Sequence, residues 1–195
     1  MFRRIILACV VRAKRPLRLE ELCEATAAIE TEYGLNVDRT RRLFKKQVVS
    51  LCQPLVQVQE SMTPQGIISI CTLAHATVRT FLIRNADVLC IGNGLDVFSL
   101  TDKVLADVCV KYLMQHRYQS LLKRSGDTFI DQDGDDVSEH HLLSYAAKYW
   151  DKHLDQLPYS EDLGNRIASF VKSDQYFTCL QIQSLLVGGR STYIG

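Results

Sequence analysis

The sequence predicts a mainly α chain interrupted by one β-hairpin, and three observations predict it. First, Val56 and Val58 alternate with Gln57 and Gln59, Thr63-Pro64-Gln65-Gly66 has turn chemistry, and Ile67 to Leu73 is β-branched and apolar. Second, the period then changes: Val78, Phe81 and Leu82 recur at helical spacing, with Ala74-His75-Ala76 as the corner between strand and helix. Third, apolar residues on both sides of this stretch recur at helical spacing, and 47% hydrophobic content supplies a core without covalent staples.

Charge and cysteine usage narrow the function classes. The chain has 195 residues, with 23 basic and 22 acidic side chains for a net charge of +1, so no global field favours nucleic acid or membranes. Seven cysteines, odd in number and never in a Cys-x-x-Cys pair, speak against a disulfide framework and a zinc site. They imply a reducing compartment, with cytoplasmic localisation as the expectation. Met1 to Val11 mimics a short signal peptide, but Arg12, Lys14 and Arg15 follow at once and no small-residue cleavage site does. The stretch is expected to be a helix instead.

In chain order, Ile5, Ile6, Cys9 and Val10 stripe a first helix that Arg15-Pro16 ends. A second helix runs from Leu19 to about Ile29, with Glu20, Glu21 and Glu24 near its start, where the helix dipole favours acids. Tyr33-Gly34-Leu35-Asn36 turns into a third helix, residues 36–51. There Val37, Phe44, Val48 and Leu51 share one arc, and Arg39, Arg41, Arg42, Lys45 and Lys46 occupy the next. Three helices followed by a hairpin is the order of a winged helix, with the basic helix in the recognition position. Duplex DNA is therefore an alternative partner, read through those five cations. Against it stand the nearby glutamates and a wing tip, Ser61 to Gln65, without Lys or Arg.

Beyond Arg84, Gly92-Asn93-Gly94 marks a candidate boundary, giving a winged-helix domain over 1–85 and a helical domain over 86–195. Ser99 and Asp102 resemble a capping box opening a helix that ends near His116. The acidic run Asp131 to Asp136 invites calcium, but Leu142 stands where an EF-hand needs its bidentate glutamate. It is expected to be a solvated loop. Ser138 is expected to cap a helix whose Leu142, Tyr145, Ala146, Tyr149 and Trp150 form a packing face, and helices over 161–171 and 174–186 complete a bundle. His140, His141 and His153 lack partner carboxylates at metal spacing, so no metal ligand is assigned.

Three stretches carry a resemblance: Arg15-Pro16-Leu17-Arg18-Leu19-Glu20-Glu21-Leu22, Leu51-Cys52-Gln53-Pro54-Leu55-Val56 and Leu73-Ala74-His75-Ala76-Thr77-Val78. Together with Cys109 to Leu113 and Tyr145 to His153, they resemble the winged-helix and helical region that follows the NACHT ATPase in fungal NLR-like STAND proteins, ahead of ankyrin or WD40 repeats. The resemblance spans about Ile5 to Leu154. It implies a non-catalytic regulatory module that couples nucleotide state to downstream repeats or protein partners. It also implies that Ala74-His75-Ala76 stands where that family has Met-His-Asp, making His75 an ADP phosphate sensor once a NACHT domain is present. Ala74 and Ala76 replace the methionine and the aspartate.

No Gly-x-x-x-x-Gly-Lys-Ser/Thr cradle occurs, so ADP or ATP would be bound only through a nucleotide-binding domain in cis or in trans. Nor is there a Gly-x-Ser-x-Gly elbow for an esterase. No enzyme, resident cofactor or membrane partner is expected. Helix one begins at Phe2 without a lead-in, as in a segment of a longer protein.

Overall fold

The structure, a computed structural model, describes residues 2–30, 46–48, 50, 52–63, 66–85, 97–155, 157–158 and 160–187. It is mainly helical, with two small antiparallel sheets. Two compact units divide it, Met1–Leu105 and Ala106–Gly195, and the division falls inside a helix, Val97–Leu113.

In the first unit, α1 (Phe2–Arg12) buries Ile6, Leu7, Ala8, Cys9 and Val11, and packs against α2 (Leu19–Glu30) and a strand of the sheet. Between the two helices, after Arg15-Pro16, lies a two-residue strand, β1 (Leu17–Arg18). The expected hairpin is present as β2 (Val56–Thr63) and β3 (Gly66–Leu73). All eight residue pairs are in register, from Val56↔Leu73 to Thr63↔Gly66. β1 joins the hairpin at Leu17↔Cys71 and Arg18↔Ile70, making an antiparallel sheet of order β1-β3-β2. Only the base of the hairpin is core: Val56 and Cys71 are buried, whereas Met62 and Ile67, paired near its tip, are exposed.

α2 begins with one half of a capping box. The Glu21 carboxylate reaches back to accept the backbone N–H of Arg18 at 2.8 Å, as an acidic third helical residue does in a capping box. The same carboxylate, fully buried, receives both Nη atoms of Arg15 at 2.5 and 2.7 Å. Residues 46–48 and 50 are helical, with Val48 buried and Lys46 exposed. Arg39, Arg41, Arg42 and Lys45 lie outside the described residues, as does Gly92-Asn93-Gly94. From the hairpin the chain passes through His75 into α3 (Ala76–Arg84), as the change of period predicts.

α4 (Val97–Leu113) starts two residues before the expected cap Ser99. In the second unit a 3₁₀ turn, His116–Tyr118, leads to a minimal hairpin, β4 (Lys123–Ser125) and β5 (Thr128–Ile130). Its two-residue turn has Gly126 at φ +60°, a left-handed conformation that glycine adopts without a Cβ clash. A second 3₁₀ turn, Val137–Glu139, follows. Ser138 lies inside this turn rather than capping a helix, because Asp136 takes the N-cap and accepts the Ser138 backbone N–H at 2.8 Å. α5 (Leu143–Tyr149), α6 (Glu161–Val171) and α7 (Asp174–Val187) complete the unit.

The expected packing face is present in four of its five residues: Leu142, Tyr145 and Ala146 are fully buried and Trp150 nearly so, while Tyr149 is half-buried. Amide side chains tie the layers together. Gln181 of α7 both donates to and accepts from the backbone of Leu122, and Gln183 donates to the Ala147 carbonyl at 2.7 Å. Among the described residues no helix is long and apolar enough to cross a membrane.

Candidate functional site

The C-terminal end of α1, the turn into β1, the end of β3 and the start of α3 enclose an open cleft of about 490 Å³. His75, Lys14, Arg15, Arg79 and Thr72 are among its lining residues. His75 and Arg79 are four apart and so share a face of α3 with the helix entry. Arg15 is already committed to Glu21. Thr72 Oγ1 is closed to solvent and has no hydrogen-bond partner.

His75 is the N-cap of α3, in an extended conformation. Its Nδ1 accepts the Thr77 backbone N–H at 3.2 Å and lies 2.7 Å from Thr77 Oγ1. An accepting Nδ1 puts the proton of the neutral ring on Nε2, an assignment that follows from these partners. The exposed ring thus carries an N–H donor at a helix N-terminus, beside Lys14 and Arg79, which is chemistry suited to a phosphate group. Ala74 and Ala76 are exposed and have no polar side chain to steady the ring; Thr77 does so instead. Replacing His75 with alanine removes this cap and should lower stability by about 0.5–1 kcal/mol, while His75→Asn keeps an acceptor and most of that stability. Urea unfolding of the two variants checks the difference.

The acidic run Asp131 to Asp136 is exposed at Gln132 to Asp135, as expected of a solvated loop, and its own side chains order it. Asp131 Oδ1 accepts the backbone N–H groups of Asp133 and Asp135, both at 2.9 Å. Asp136 accepts the Thr128 hydroxyl at 2.6 Å and the Ser138 backbone N–H. These bonds, the hydroxyl's first, hold the Asp136 carboxyl below its ordinary value of 3.8. A depressed carboxyl stabilises the fold above that ordinary value and loses the contribution as pH falls through the folded value. Stability should therefore drop at acid pH, and Asp136→Asn should flatten that part of the profile. Urea midpoints measured across acid pH test this.

The histidines expected to be surface or packing residues separate in the structure. His153 is buried against the Tyr145 hydroxyl at 2.9 Å. His140, also buried, meets carboxylates that its place in the sequence does not reveal: its Nε2 is 3.7 Å from Asp131 Oδ2. Among the described residues, Asp131, Asp135 and His140 form the group whose ligand atoms all lie within 4.8 Å of one another.

Among the described residues Cys9, Cys71 and Cys179 are buried, and burial pushes their thiols up to about 12, far from the thiolate a nucleophile needs. Of the cations expected to contact DNA, the described one, Lys46, is exposed. Sequence reasoning found His75 but missed Lys14, Arg79 and Thr72. The four-residue spacing of His75 and Arg79 was the signal available for one of them. Comparison with protein-family models, curated proteins and solved structures finds no match.

Proposed function

We propose that this chain is a non-catalytic regulatory relay of a STAND-type signalling protein. Residues 1–85 act as a winged helix that packs against a NACHT nucleotide-binding domain, in cis or in trans, and the following helices pass nucleotide state to downstream repeats or protein partners. The observation that carries this is His75: a ring held by Thr77 at the entry of α3, with Nε2–H as donor and Lys14 and Arg79 beside it. The pairing of β1 with β3 supports the winged-helix assignment, because it ties the wing back to the first two helices.

In the off state the Nε2–H donates to the terminal phosphate of ADP held by the NACHT domain. Exchange for ATP alters that contact and releases the winged helix, since a ligand shifts such an equilibrium only by its differential contacts. With the NACHT domain supplied, ADP release should quicken about tenfold in both His75→Ala and His75→Asn, the loss of one charge-assisted hydrogen bond. Because His75→Asn keeps the helix cap, an unchanged release rate in that variant removes His75 from the mechanism.

A further inference from the structure

We propose that Asp131, Asp135 and His140 form a zinc site in the unit Ala106–Gly195, in which Arg117 is the resident cation that the metal displaces. This site does not rest on the role given to His75.

Asp131 leaves the end of β5, Asp135 follows in the turn, and His140 closes the 3₁₀ turn Val137–Glu139. Two observations point to a metal rather than to an acidic turn alone. The Asp131 side chain is wholly buried, and only its Oδ1 is bonded. Its Oδ2 has no hydrogen-bond partner and faces His140 Nε2 at 3.7 Å and Arg117 Nη1 at 3.9 Å, both beyond hydrogen-bonding reach. A buried carboxylate oxygen left in that state is costly, and a directly bonded cation removes the cost.

The imidazole is also set for a metal. Arg117 Nη1 lies 3.0 Å from His140 Nε2 and can only donate, so Nε2 offers its lone pair. The ring proton is then on Nδ1, which lies 3.0 Å from the Tyr118 hydroxyl. Histidine ligands are oriented by a partner on the other nitrogen in this way.

Arg117 is a poor match for the place it holds. A guanidinium binds carboxylates best through two parallel N–H···O bonds, yet its Nη1 lies 3.7 Å from Asp135 Oδ2 and 3.9 Å from Asp131 Oδ2. Zinc–nitrogen and zinc–oxygen bonds of about 2.0–2.1 Å at tetrahedral angles separate ligand atoms by about 3.4 Å. The 3.7 Å between Asp131 Oδ2 and His140 Nε2 is already close to that. Asp135, with a largely exposed side chain, and Arg117, a third exposed, are free to adjust toward and away from the ion. Two carboxylates and one imidazole suit zinc better than calcium, which takes oxygen ligands in larger number. Water completes the shell.

The test is zinc titration of the chelator-stripped full chain in competition with a chromophoric chelator, together with the cobalt(II) absorption spectrum. One equivalent should bind without thiolate-to-cobalt charge transfer, which excludes the cysteines. Asp135→Asn should weaken binding about tenfold or more. Arg117→Gln, by removing the competing cation, should tighten it. No uptake of zinc overturns the proposal, as does binding that neither variant changes. Loss of zinc binding together with loss of stability in Arg117→Gln overturns it too, because the arginine would then be a permanent structural cation.

Discussion

Replacing Phe170 with alanine should destabilise the unit Ala106–Gly195 by about 3–5 kcal/mol, the usual cost of emptying a fully buried aromatic site. Phe170 is wholly buried at the end of α6. It meets Trp150 edge to face at 5.3 Å between ring centroids and Tyr176 of α7 at 5.5 Å, while Trp150 and Tyr176 are 6.4 Å apart. Each of the three rings thus presents an edge or a face to the other two. Beyond buried area, each such pair contributes about 0.5–1.5 kcal/mol, so Phe170→Leu should lose the ring geometry but keep most of the volume, and cost less than alanine. Trp150 is the only tryptophan in the chain, so its fluorescence in a urea titration reports this unit by itself. A loss below about 1 kcal/mol for Phe170→Ala would mean that the three rings do not pack as a cluster.

The second large effect is expected at Arg15. Arg15→Met leaves the Glu21 carboxylate buried with the Arg18 N–H among its remaining partners. Removing one member of a buried pair costs roughly 3–5 kcal/mol; here the low end applies, since Arg15 is a third exposed and water can enter behind it. The informative comparison is the double variant Arg15→Met/Glu21→Gln. Glutamine still accepts the Arg18 N–H but leaves no buried charge, so the second change should recover part of what the first removed. Unfolding followed by circular dichroism measures both. A double variant no more stable than Arg15→Met would show that the buried charge is not the source of the loss.

Much of the architecture was legible because it is written locally. The β2–β3 hairpin, the period change into α3, and the packing face of Leu142, Tyr145, Ala146 and Trp150 each depend on neighbours within a few residues. What was missed has two physical sources. One is competition among short polar caps: Asp136 and Ser138 both have N-cap chemistry, and Asp136, whose carboxylate also accepts the Thr128 hydroxyl, takes the N-cap. The Gly126-Asp127 turn of the β4–β5 hairpin did have a sequence signal, which the exposed Lys123, Arg124 and Ser125 obscured.

The other source is distance along the chain. β1 has no strand signal of its own, because its pairing comes entirely from Cys71 and Ile70. At the candidate sites, His75 was visible from its position at a strand-to-helix corner. Lys14 and Arg79 reach its cleft from a different segment and from the next turn of α3. The Asp131, Asp135 and His140 cluster escaped because its imidazole comes from beyond the acidic run, outside any EF-hand spacing. His140 becomes a neighbour of Asp131 only when the 3₁₀ turn folds back.

The pairing of Leu17 with Cys71 also bears on how the chain is made. About fifty residues separate the two, and the ribosome adds roughly 5–20 residues per second, so β1 waits on the order of 3 to 10 seconds for its partner to be synthesised. Over that interval α1 has α2 to pack against but not β3. The first sheet of this unit is therefore completed only after the hairpin emerges, well after α1 and α2 have been made.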